Sequence, residues 1–165
     1  MVAVIFDLDG TLLDSLADIG ESMNLVLSAM GLPQHELAAY RAIVGDGVSV
    51  LAERALPPGR RDEPTVAAAV AAMRDVYRSR LTNKTRPYDG IPELLDRLSE
   101  RAVRMAVLSN KPHDLTISLV ESLLAQWSFD PVFGERPAVA KKPDPAGAKE
   151  RYVSSRRSNL SSGLS

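Results

Sequence analysis

Cysteine is absent from the 165 residues, which rules out disulfides, thiolate catalysis and cysteine-bound metal. No cluster of Lys and Arg dominates the chain, whose net charge is −1 and whose pI is near 6.1. Nucleic acid and an anionic membrane are therefore not expected as main partners. No run approaches the roughly eighteen apolar residues of a membrane-crossing helix, and the first residues carry neither a basic segment nor a long apolar stretch of the signal-peptide kind. The expectation is a soluble cytoplasmic protein. His35 and His113 stand far apart in the sequence and read as surface residues rather than ligands. No internal repeat is visible. The hydrophobic fraction of 45% allows a real core, and the length suits one domain, or a small core with an inserted subdomain.

Residues 2–15 are the most informative stretch. An apolar, β-leaning run from Val2 to Phe6 stops at two carboxylates, Asp7 and Asp9, followed by Gly10 and Thr11. An apolar run without alternation predicts a strand buried on both faces, as in parallel α/β sheets. Ligands in such sheets bind beyond the carboxyl ends of the strands, where Asp7 and Asp9 would lie. Two acids there are costly unless a cation or a reaction needs them. A bare Asp-x-Asp reads as a strand ending in an Asp-Gly turn with acids facing water; the longer string argues for chemistry.

The rest of the chain alternates in a way that predicts a helical insertion inside an α/β core. Asp14 and Ser15 suit a helix N-terminus, and apolar residues follow at helical spacing from Leu16 to Met30, closed by Gly31 and Pro33. A second helical stretch runs from about His35 to Ile43, a third from Val48 to Leu56, and a fourth carries the stripe Val66, Val70, Met73, Tyr77 and Leu81. Residues 16–82 are thus predicted as an all-helical cap without strands, between core segments 1–15 and 83–153. In the second segment Pro92 to Arg101 reads as a helix and Met105 to Leu108 as a buried strand. Asp114 to Ala125 reads as a helix, Val132 to Gly134 as a short strand, and Ala146–Val153 as a brief helical start.

The string Asp7-Leu8-Asp9-Gly10-Thr11 resembles the first motif of the haloacid dehalogenase-like hydrolases, in their phosphatase branch. That resemblance implies an α/β fold: a Rossmann-like parallel sheet with an inserted α-helical cap that closes over the site and selects substrate. It further implies a Mg²⁺-dependent phosphatase acting on a small phosphorylated metabolite. Asp7 would be the nucleophile that forms an aspartyl-phosphate, and Asp9 the group that protonates the leaving oxygen and later deprotonates water. A carboxylate nucleophile splits the hydrolysis into two easier steps, and a positioned acid/base is typically worth ~10²–10⁴-fold. Gly10 would allow a tight turn near phosphate, and the Thr11 hydroxyl and nearby amides could bond its oxygens.

Ser109, after the second strand, corresponds to the family's second motif, and the string Leu108-Ser109-Asn110-Lys111-Pro112 resembles the phosphoglycolate phosphatase group. Asn110 and Lys111 are candidates for contact with substrate or cap, and Lys111 reads equally well as a solvated lysine. Lys142, directly before Pro143, matches the third motif, with Lys141 as the rival, and would hold carboxylate and phosphate together. Arg41 and the Val44-Gly45-Asp46-Gly47 loop resemble the cap segment that reaches toward substrate, with a plain helix-end glycine pair as the alternative for the loop. The Asp-Gly-Thr string argues against C–halogen hydrolysis, and a phosphoglucomutase role is less favoured.

The resemblance covers residues 1 to about 148. The family's fourth motif, Gly-Asp-x-x-x-Asp on another strand, would supply further Mg²⁺ ligands. Here Asp7 and the Asp9 backbone carbonyl remain as metal ligands, and Glu150 is the sole carboxylate after Asp144. Weak Mg²⁺ affinity is expected. Six of the last twelve residues are serine, which predicts a disordered tail at 154–165 and suggests a truncation, a frameshift or an artificial end. Without a fourth-motif strand, Val2–Phe6 would become an exposed edge prone to self-association. The rival reading is a catalytically inactive fragment that at most binds phosphate or self-associates.

Overall fold

The computed structural model describes residues 3–136, 142 and 144. Its main sheet has three parallel strands in the order β1 (Ala3–Phe6), β4 (Arg104–Pro112), β5 (Phe129–Glu135). β1 and β4 run in simple register, from Ala3 opposite Arg104 to Phe6 opposite Val107. Both strands therefore deliver their carboxyl ends, Asp7 on one and Ser109 to Lys111 on the other, to the same end of the sheet. β4 and β5 are longer than their apolar cores predict. β4 continues through the polar string to Pro112, because β5 pairs with it as far as Glu135.

Between the first two sheet strands the chain leaves through β2 (Leu13–Asp14) and returns through β3 (Arg86–Pro87), which pair antiparallel. The predicted insertion contained no strand, and this ribbon lies at its two ends. It encloses α1 (Leu16–Ala29), α2 (Tyr40–Ile43), α3 (Val48–Ala55) and α4 (Glu63–Arg80). α1 ends as its sequence requires: Gly31 takes a φ of +69°, and the Leu32 amide reaches back to the Leu27 carbonyl at 2.8 Å, satisfying an otherwise orphaned acceptor. The predicted helix from His35 to Ile43 is broken up, with a 3₁₀ turn at Leu37–Ala39 and only one α turn after it. Asn24 on α1 explains the delayed start, since its amide bonds both the carbonyl and the N–H of His35 at 2.8 and 3.0 Å and holds that segment extended.

α5 (Ile91–Glu100) and α6 (His113–Leu123) pack on the sheet. One continuous core joins sheet and insertion, running from Leu8, Val107 and Leu119 to Met23, Leu51 and Met73. No helix among the described residues is long and apolar enough to cross a membrane.

Two expectations need correction. β1 is not buried on both faces: Ala3 and Ile5 are exposed and Val4 and Phe6 half-buried, because among the described residues the strand has a neighbour on one side only. That edge is the one anticipated for a sheet without a further strand. The histidines are not simple surface residues either. His35 Nε2 lies 2.7 Å from the Ala55 carbonyl, and His113 Nδ1 accepts from the Gly134 amide at 3.1 Å. The helical start at 146–153 and the tail at 154–165 lie outside the described residues.

Candidate active site

The loop after β1 is organised by its own backbone. Gly10 adopts a φ of +76°, which a residue with a side chain would resist, and its amide donates to the Leu13 carbonyl at 2.9 Å. The Thr11 and Leu12 amides both turn back to the Leu8 carbonyl, and Leu8 itself is fully buried. This coil raises Asp7 and Asp9 on either side of a buried leucine. The Gly10 and Thr11 amides thus bond within the loop. Neither residue lines the cavity beside the carboxylates.

That cavity, about 70 Å³ in volume, lies between the strand ends and the helical insertion. It exceeds several-fold the ~10–15 Å³ needed to hold one water. Asp7, Asp9, Ser109, Asn110 and Lys111 form its polar floor, while Val48, Leu51, Met73 and Tyr77 contribute an apolar roof. Gly45 is part of the lining; Arg41 is not, and it is solvent-exposed on α2.

Asp7 accepts two hydrogen-bonding donors at one oxygen: the Leu8 amide at 2.8 Å and Lys142 Nζ at 2.6 Å, both on Oδ1. Its Oδ2 has no hydrogen bond among the described residues. Lys142 is tied down through its backbone, its N–H donating to Asn110 Oδ1 at 2.9 Å. Asn110 Nδ2 in turn donates to the Gly45 carbonyl at 3.1 Å. Ser109 is buried, and its Oγ accepts from the Lys111 amide at 3.2 Å.

Asp9 is held differently. Lys111 Nζ contacts both of its carboxylate oxygens at 2.9 Å, and the Ser15 hydroxyl donates to Oδ1 at 2.6 Å. Ser15 stands at the N-terminus of α1 but spends its hydroxyl on Asp9 rather than on the helix. The Lys111 ammonium also sits 4.6 Å from the centre of the Tyr77 ring. Burial alone would lower the Lys111 pKa, yet the neighbouring Asp9 carboxylate and Tyr77 outweigh it, so the lysine is held above its ordinary value. Burial pushes the Tyr77 phenol up to about 12.

Ser15 and Tyr77 are therefore part of the arrangement without having been singled out for it, alongside Lys111, which was a candidate for contact with substrate or cap. Lys111 was legible only as an open alternative within its string. Tyr77 was hidden in an apolar helical stripe, and Ser15 in a helix start.

For a divalent cation, the described residues offer the Asp7 carboxylate and the Asp9 main-chain carbonyl. No cluster of three or more His, Cys, Asp or Glu side chains exists among them. One carboxylate with a carbonyl fits the habit of Mg²⁺, which keeps several waters and uses one or two carboxylates with substrate phosphate. The donor set is compatible but sparse.

The model of the haloacid dehalogenase-like hydrolases matches residues 4–155. A phosphoglycolate phosphatase of Caulobacter vibrioides is 32% identical over 143 residues, which is 86% of this chain and 60% of that protein. One of Pseudomonas putida is 35% identical over 147 residues, 87% of this chain and 54% of that protein. The chain thus spans less than two thirds of the length of these relatives. The crystal structure of a predicted phosphoglycolate phosphatase from Haemophilus somnus superposes with a TM-score of 0.82 at 26% identity, covering 94% of this chain and 71% of that one. The chain belongs to the haloacid dehalogenase-like hydrolase family.

Proposed function

We propose that this chain acts as a phosphomonoester hydrolase through Asp7, with 2-phosphoglycolate as its substrate. The carrying observation is the meeting of Asp7 and Lys142 at 2.6 Å, beside a cavity whose floor also contains Asp9 and Ser109. A carboxylate and an ammonium brought together at the end of a parallel sheet are what attack on a phosphate dianion requires. The ammonium offsets the repulsion between nucleophile and substrate, and it stabilises charge that builds up in the transition state.

In this reading an Asp7 carboxylate oxygen attacks phosphorus while the ester P–O bond breaks, and Asp9 gives its proton to the departing oxygen. Water then attacks the phosphorus of the aspartyl-phosphate, Asp9 takes a proton from that water, and the P–O bond to Asp7 breaks to release inorganic phosphate. Lys142 and the Ser109 hydroxyl hold phosphoryl oxygens; Asn110 holds Lys142 and the Gly45 loop. Asp7 and the Asp9 carbonyl would bind Mg²⁺, whose contribution is neutralisation of phosphate charge. The substrate reading rests on the phosphatases to which the chain is similar. That similarity does not favour the alternative of an inactive fragment.

The test is Mg²⁺-dependent release of phosphate from 2-phosphoglycolate and a panel of small phosphomonoesters, with Asp7→Asn as control. Turnover abolished by that substitution is the expected result. Folded protein with no turnover above the control would refute the reading.

A further inference from the structure

Lys111 has no part in the steps above, yet it is a charged side chain only 7% exposed at the floor of the cavity. Lysine is seldom so deep without a partner, and here it has partners on two sides. Below it are both oxygens of Asp9, each at 2.9 Å. Above it, 4.6 Å away, is the face of Tyr77, which α4 of the helical insertion contributes. The buried Tyr77 hydroxyl has no hydrogen bond of normal geometry among the described residues, but it lies near enough to the ammonium to help keep Lys111 charged, and the ring face adds to that hold. A cation so enclosed draws more from an aromatic face than an exposed one does.

We infer that Lys111 is a positioning residue that aims Asp9 only while α4 is seated over it. The inference rests on the acid/base role proposed for Asp9. Two equal contacts from one ammonium fix the rotation of the carboxylate, and the Ser15 hydroxyl pins one of its oxygens. The four-carbon lysine stem is itself flexible and is held at its tip by the ring above. Lifting α4 would remove the ring and admit water. The ammonium would then be hydrated, and the carboxylate would regain its rotational freedom. Seating of the helical insertion and orientation of the acid are thereby a single event.

Hydrogen exchange of the full chain tests the coupling without requiring turnover. Asp9→Asn keeps the shape of the side chain and removes the charge that anchors Lys111, without altering any residue of α4. It is expected to speed exchange of the amides around Met73 to Arg80 by about tenfold, whereas Tyr77→Phe, which keeps the ring, changes them far less. Unchanged α4 protection in Asp9→Asn would overturn the inference. A kinetic readout separates positioning from mere support. Lys111→Met and Tyr77→Leu should lower kcat for an alkyl phosphate, whose leaving group needs a proton, far more than for p-nitrophenyl phosphate, whose leaving group does not. Equal losses on the two substrates would also overturn it. Absence of turnover in the wild type would count against the proposed hydrolase, while the exchange experiment would still decide the coupling.

Discussion

Asn110, at the end of the central strand β4, donates to the Gly45 carbonyl at 3.1 Å, so that one amide side chain joins the sheet to the loop between α2 and α3. The same amide accepts the Lys142 N–H through Oδ1 at 2.9 Å. Three segments distant in sequence, the strand end, the helical loop and the third-motif lysine, converge on a side chain that is 8% exposed.

Removal of Asn110 should therefore act through Lys142. Asn110→Ala is expected to reduce kcat/KM for 2-phosphoglycolate by about ten- to a hundredfold, the equivalent of ~1–3 kcal/mol for a buried group left without its partner. Steady-state phosphate release checks this. Loss comparable to that of Asp7→Asn would show that Asn110 does more than orient.

Asp18 governs the exit from the helical insertion. Fully buried on α1, it accepts the Lys84 and Thr85 amides at 2.8 Å each and the Thr85 hydroxyl at 2.7 Å, all on Oδ2. Asp18→Ala strands two backbone donors and should cost about 3 kcal/mol, with Asp18→Asn, which retains an acceptor, costing less. Urea unfolding at constant m-value measures both.

Alkaline stability should fall once the pH passes the ordinary tyrosine value. Burial holds the phenols of Tyr40 and Tyr77 at about 12, above their usual 10.0. A group whose folded pKa is raised favours the folded state below its unfolded pKa and loses that contribution as pH climbs to the folded one. Stability is expected to decline between about pH 10 and about pH 12, and Tyr40→Phe should flatten the decline. Denaturant midpoints across that range, with tyrosinate absorbance followed in parallel, are the check.

Among the described residues β1 has a neighbouring strand on one side only, and Ile5 on it is 44% exposed. We propose that this edge mediates self-association, since such edges template pairing with another strand. Light scattering should show concentration-dependent dimers that Ile5→Lys diminishes. A clean monomer at all concentrations would sink the idea.

Much of this was legible in the sequence because it is written in local chemistry. Apolar runs ending in polar strings marked β1 and β4, and helical spacing marked α1, α3, α4, α5 and α6. The string from Asp7 to Thr11 marked the strand end whose Asp7 and Asp9 line the cavity. The misreadings share one cause: local patterns do not state what lies opposite. The segment from His35 to Ala39 has helical spacing, but Asn24 on another helix claims its backbone.

The sequence by itself determined the alternation of strand and helix, the place of the helical insertion and the clustering of carboxylates at one strand end, since periodicity and turn chemistry act over a few residues. Only the tertiary structure decided that Lys111 is buried on Asp9 beneath Tyr77 and that Asn110 links Gly45 to Lys142. Each of these depends on burial and on partners tens of residues away, and the cost or gain of a charge is fixed by what packs around it rather than by its neighbours along the chain.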